Sequence, residues 1–220
     1  MKLVFYSGDD AANIALDQEL IRLTGKQRPT VTFIPASHDD AAIEFEMFRN
    51  HFLEVGVGDC QMLELDNNFS LSEARAAINV DLIYLGGGNT FHFLRSMRRS
   101  GFFDLLRYFA RHGGVIAGQS AGSILMTPNI STASYPKFDC DDNYDKVKDF
   151  DALHLVNFEF FPHYSDERDY SKELKKQSKD LKYPIYAATD GSGIVISPGR
   201  VLFLGEVWSF SRGKKHKISV

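Results

Sequence analysis

The stretch Val115-Ile116-Ala117-Gly118-Gln119-Ser120-Ala121-Gly122 constrains the fold of this 220-residue chain more than any other. An apolar run suited to a buried strand ends at a glycine. A serine follows, then a second glycine, and the apolar pattern resumes at Ile124. Strand, sharp turn and helix in that order form a nucleophile elbow, with the serine hydroxyl above the carboxyl edge of a sheet. Glycines permit close backbone approach. A helix starting beside the serine turns its first N–H groups and its dipole toward an anion. A tight turn kept for packing alone has the same composition and stays open as the alternative.

The rest of the chain alternates strands and helices with glycine punctuation. Strands are expected at 3–6, 30–34, 61–65 and 81–85, and helices over 11–24, 40–55, 70–78, 90–100 and 102–112. Gly25 reads as a helix C-terminus and Ser70 as an N-cap. Phe45, Phe48, Phe52 and Val55 recur at helical spacing and read as core. Residues 129–151 are polar and acidic without periodicity, the mark of a functional or disordered loop. A strand-like run over 153–161 leads to Pro162-His163, and a charged helix is expected over 165–180. Strands and turns fill the remainder. The alternation predicts one α/β domain over 1–220, a mostly parallel sheet covered by helices with an antiparallel C-terminal edge.

A second glycine cluster, Gly86-Gly87-Gly88-Asn89-Thr90, follows the apolar run Leu82-Ile83-Tyr84-Leu85 and opens a helix. In a parallel sheet it lies at the same carboxyl edge as Ser120, where backbone N–H groups can serve an oxyanion. A dinucleotide fingerprint fails because Phe91 stands where its third glycine belongs, and no Walker lysine follows. A serine at neutral pH needs a base. Of seven histidines, His163 stands out: it follows an apolar strand and a proline, in a turn expected at that same edge. A structural role for it stays open.

Composition excludes several classes. The net charge of −4, with 44% hydrophobic and 25% charged residues, suits an ordinary globular protein and suggests neither nucleic acid nor membrane as a partner. No run approaches the ~20 apolar residues of a membrane span. Two distant cysteines, Cys60 and Cys140, form no disulfide framework. With no secretory segment at the N-terminus, a cytoplasmic location is expected. Asp139, Asp141, Asn143 and Asp145 mimic the spacing of a calcium loop, but Tyr144 and Phe150 occupy positions that require glycine and glutamate. No metal and no cofactor are expected.

Gly86-Gly87-Gly88-Asn89-Thr90, then Gly118-Gln119-Ser120-Ala121-Gly122-Ser123, then residues 150–155 and Phe161-Pro162-His163-Tyr164, in that order, resemble the peptidase E family of aspartyl dipeptidases and, more distantly, cyanophycinases. The resemblance implies a flavodoxin-like three-layer sandwich related to class I glutamine amidotransferases. It implies a serine peptidase acting on small peptides, with an N-terminal aspartate as the narrower expectation. It makes Ser120 the nucleophile, His163 the base, the Gly88 and Ala121 N–H groups the oxyanion hole, and Asn89 part of the pocket rim. Where aspartyl dipeptidases carry an aspartate, this chain has a segment around Tyr135 without any carboxylate. Asp139 is the favoured acid, with Asp141, Asp142, Asp166 and Glu167 as alternatives. Arg168 is the candidate cation for a substrate carboxylate. A cyanophycinase-like isopeptidase and a catalytically weak binding protein are the other readings. A thiol-dependent amidase is disfavoured because the elbow holds Ser120. The expected oligomeric state is monomer or homodimer.

Overall fold

A computed structural model describes residues 1–8, 13–166 and 169–218. The apolar runs become β1 (Lys2–Tyr6), β2 (Thr30–Ile34), β3 (Asp59–Met62), β4 (Leu82–Leu85) and β5 (Val115–Gln119). The periodic segments between them become α1 (Ile14–Thr24), α2 (Ala41–Val55), α3 (Leu71–Ile78), α4 (Thr90–Arg99) and α5 (Phe102–Arg111). A short α6 (Ala121–Leu125) follows β5 directly. Beyond the acidic loop come β6 (Glu159–Phe161), α7 (Tyr170–Gln177), β7 (Ile185–Ala188), β8 (Gly193–Ser197), β9 (Arg200–Leu204), β10 (Val207–Ser211) and β11 (Lys214–Lys217).

The main sheet has the order β3-β2-β4-β5-β1-β8-β9. Its first five strands are parallel, and β8 and β9 add the antiparallel edge. Alternation along each strand splits the core in two. Leu3, Phe5, Ile83, Leu85 and Ile116 face α3, α4, α5 and α6; Val4, Tyr6, Leu82, Tyr84, Val115 and Ala117 face α1 and α2. Strands buried on both faces explain the near-continuous apolar runs. Phe48 and Phe52 of α2 pack at an angle against Tyr84, as their helical spacing predicts. Ser70 caps α3 in a full capping box with Glu73, and Gly25 ends α1 at φ 72°. The result is the mostly parallel sheet with an antiparallel edge that the alternation predicts, in the flavodoxin-like α/β sandwich that the resemblance implies.

A second sheet, β11-β10-β7-β6, is the feature the linear pattern does not reveal. Its β6 and β7 run parallel to each other. One face, through Phe158, Phe160, Ala188 and Val207, joins the main core; Phe158 and Phe160 lie 5.1 and 5.5 Å from Phe5, ring centre to ring centre. The other face packs Tyr164, Ile185, Ala187 and Phe210 against Tyr170 and Leu174 at the start and middle of α7. The strand expected over 153–161 is therefore short, and the helix expected over 165–180 begins at Tyr170. Among the described residues no helix is long and apolar enough to cross a membrane.

Glu159 on β6 is a charged residue type in a core position, 4% exposed, with the Thr127 hydroxyl donating to it at 3.1 Å. Burial pushes its pKa up to about 7. Between the ordinary carboxyl range and that value, the folded protein keeps a proton that the unfolded chain releases, so stability falls as pH rises through the window. Glu159→Gln keeps the neutral shape and should remove a loss on the order of 3 kcal/mol. Urea midpoints at pH 5 and pH 8 should lie closer together in the variant than in the parent; an unchanged gap would show that Glu159 does not carry it.

Candidate active site

Ser120 follows β5 and stands at the N-cap position of α6 with φ 49° and ψ −110°. This is a conformation that non-glycine residues rarely adopt, and it lifts the hydroxyl above the sheet edge. The Ser120 N–H donates to the carbonyls of Tyr6 and Ser7 at the end of β1, both at 3.1 Å. The flanking glycines have a steric cause. A Cβ on Gly118 would lie 2.4 Å from the Gly122 carbonyl carbon, and one on Gly122 would lie 2.2 Å from the Leu85 oxygen. The Gly122 N–H donates to Gly86 O at 3.1 Å, joining the elbow to the second glycine cluster.

His163 follows β6, also at positive φ, 54°. Its Nε2 lies 2.9 Å from Ser120 Oγ, and its Nδ1 lies 2.7 Å from Asp190 Oδ1. With the proton on Nδ1, the ring donates to Asp190 and leaves Nε2 to accept from the serine. Asp190 is the acid that sequence reasoning missed. It stands two residues beyond β7, and the parallel pairing of β6 with β7 carries it to His163; the Tyr164 N–H donates to Ala188 O at 2.9 Å. The signal available was an aspartate-glycine turn after an apolar run, at 185–191. Ser7 was also missed. Its buried hydroxyl donates to Ala188 O at 2.9 Å and accepts the His163 N–H at 2.7 Å. Gly8 leaves room for the acid: a Cβ there would lie 2.1 Å from Asp190 Oδ1 and 3.2 Å from His163 Cε1.

Of the two backbone donors expected at the oxyanion position, Ala121 directly follows Ser120. On the side of the second glycine cluster it is Gly87, next to the expected Gly88, that approaches the serine, a Cβ on Gly87 falling 3.8 Å from Ser120 Cβ. Gly88 has φ 131°, and a Cβ there would meet Ala36 Cβ at 2.8 Å. Among the described residues, the N–H groups of Gly88 and Ala121 have no acceptor.

The other expected residues are placed differently. Asp139, the favoured acid, accepts from the Tyr170 hydroxyl and does not reach the histidine. Asp141 accepts the Thr90 N–H at 2.7 Å, and the Asp142 carboxylate accepts from the Tyr144 hydroxyl. Asp166 binds Lys215 and the hydroxyls of Tyr164 and Ser171, and the lysine and hydroxyls pull its pKa down to about 2. Asn89, expected at the pocket rim, is instead the N-cap of α4: it accepts the His92 N–H at 2.9 Å and donates to Asp142 O at 2.9 Å. Glu167 and Arg168 lie outside the described residues.

The acidic loop is ordered by pairing with α4. Asp145 meets His92 and Arg95, and Asp149 meets Arg98. His92 bridges Asp145 and Asp66, each at 2.8 Å. Burial opposes its charge, but the two carboxylates outweigh burial and raise its pKa. The contribution of this bridge is present in acid and lost as pH rises through the raised pKa. The loop thereby forms one wall of an open pocket of about 170 Å³ that includes Ser120 and His163.

The family model of peptidase family S51 matches residues 3–204. The chain belongs to peptidase family S51. An uncharacterised peptidase of Pasteurella multocida is 35% identical over 145 residues, 64% of this chain and 67% of that protein. Peptidase E of Shewanella putrefaciens is 33% identical over 141 residues, 60% of this chain and 57% of that protein. The crystal structure of a Listeria monocytogenes protein described as a candidate peptidase E superposes with a TM-score of 0.71 at 23% identity, covering 99% of this chain and 98% of the other. In this S51 chain the Ser120, His163 and Asp190 side chains form a continuous hydrogen-bonded row that ends in an exposed pocket.

Gly8→Ala tests that row without replacing any of its three residues. The added methyl must push the Asp190 carboxylate off Nδ1. The low-field Nδ1 proton of His163 should vanish from NMR spectra, and phosphonylation of Ser120 by a fluorophosphonate should slow by about tenfold or more. An unaltered proton signal would show that Asp190 reaches Nδ1 despite the methyl.

Proposed function

We propose that this S51 chain is a serine peptidase that hydrolyses short peptides through an acyl-enzyme. The observation that carries this is the row Ser120 Oγ–His163 Nε2 at 2.9 Å and His163 Nδ1–Asp190 Oδ1 at 2.7 Å. Ser120 Oγ attacks the scissile carbonyl carbon while Nε2 takes its proton. The carbonyl oxygen becomes an oxyanion and accepts from the Gly88 and Ala121 N–H groups, each donor worth about 3 kcal/mol of barrier. The imidazolium then protonates the leaving amine, the C–N bond breaks and the acyl-serine forms. A water molecule, deprotonated by the same Nε2, cleaves the ester and returns the proton to Ser120. Asp190 keeps Nδ1 protonated and stabilises the imidazolium throughout.

About 170 Å³ beside the nucleophile suits one substrate side chain. Asp190 takes the place in the mechanism that sequence reasoning assigned to Asp139.

Wild type, Ser120→Ala and Asp190→Asn should be compared on a panel of dipeptides differing in the first residue. Ser120→Ala should lose on the order of 10³-fold or more in kcat, and Asp190→Asn on the order of 10²- to 10⁴-fold, both with an unchanged melting temperature. If all three are equally silent on every peptide and Ser120 resists a fluorophosphonate, the peptidase reading gives way to the binding-protein one.

A further inference from the structure

The loop that forms one wall of the pocket carries its carboxylates in two sets. Asp145 and Asp149 point to α4 and are neutralised by Arg95 and Arg98. Asp139 and Asp141 line the pocket beside Ser120, and their partners are neutral donors, the Tyr170 hydroxyl and the Thr90 N–H. Among the described residues no cation pairs with either of them. A second observation concerns Thr132, which lines the same pocket. It is 2% exposed, and its hydroxyl has no hydrogen-bond partner among the described residues. A buried hydroxyl without a partner is costly unless a ligand satisfies it. The remaining wall, through Ile124, Ala133 and Phe161, is apolar.

Resting on the serine-peptidase reading above, we propose that this pocket takes a positively charged side chain on the residue that becomes the acyl group, with Asp139 and Asp141 as the specificity-determining carboxylates. The orphan hydroxyl asks for a polar ligand, and the two unneutralised carboxylates fix its sign. An unbranched methylene chain ending in an ammonium matches both parts of the pocket: the stem lies on the apolar wall and the head supplies three donors. Asp139 is the stronger determinant, because the N-terminus of α4 already offsets part of the charge of Asp141. An acidic side chain in the same place would meet two like charges, which disfavours it.

The test uses lysyl-alanine, Nε-acetyl-lysyl-alanine, alanyl-alanine and aspartyl-alanine with wild type, Asp139→Asn and Asp141→Asn. Asparagine keeps an acceptor for Tyr170 or Thr90, and the two variants guard against misfolding of either one. Wild type should favour lysyl-alanine over aspartyl-alanine by at least about tenfold in kcat/KM, and over its Nε-acetyl form by about fivefold. Asp139→Asn should lower the lysyl-to-alanyl ratio about fivefold, and Asp141→Asn by less. Preference for aspartyl-alanine overturns the proposal. So does an equal loss on all peptides in both variants, which would mean that the carboxylates hold the α-ammonium shared by every substrate. Calorimetric titration of Ser120→Ala with the same peptides separates the two readings. Tighter binding of lysyl-alanine by a protein whose wild type turns over none of the peptides would retain the pocket assignment and sink the peptidase.

Discussion

The approach of α6 to the sheet governs the whole arrangement. The short helix sits so close that neither Gly118 nor Gly122 has space for a Cβ, one blocked by the other and the second by Leu85 O. Only at this distance can the chain leave β5 and enter a helix within one residue, and that residue is Ser120. The same closeness lets the Gly122 N–H reach Gly86 O, beside the Gly87 that lies against the serine. Ser120 and the second glycine cluster are thus one packing unit. A substitution that opens the contact would displace both at once.

Around this unit the fold gathers four strand ends. Ser7 follows β1, Ser120 follows β5, His163 follows β6, and Asp190 comes two residues after β7. Two of these strands belong to the main sheet and two to the smaller one. Phe5, Phe158 and Phe160 hold the sheets together beneath the site. All four side chains stand within two residues of a strand end, so the sheets set their positions. The wall opposite them is a loop, tied down along α4 by ion pairs and anchored to the core through Ile130, Ala133 and Phe150.

Legibility in the sequence followed the range of the interactions. Ser120 and the glycine clusters were legible because local sterics dictate their composition. Gly25 and Ser70 were legible as helix ends for the same reason. His163 was recoverable because it follows an apolar run and a proline. Asp190 was not, since its role depends on β7 lying parallel to β6, a pairing between segments separated by α7. Nothing local distinguishes its aspartate-glycine turn from any other. Asp139 drew attention because it is near the motif in sequence, yet its place in space is set by Tyr170. Helix capping and the Asp142 carbonyl consume the Asn89 side chain.

Both Ser120 and His163 sit at positive φ. Each such residue costs on the order of 1–3 kcal/mol, carried by the surrounding hydrogen bonds. Glycine at either place would relax the backbone and remove the functional side chain. Natural drift toward a sturdier molecule therefore runs through loss of the site, and these two positions are where durability and chemistry select in opposite directions. A lineage released from its catalytic duty would be expected to shed this strain first, leaving a more stable shell of the same fold.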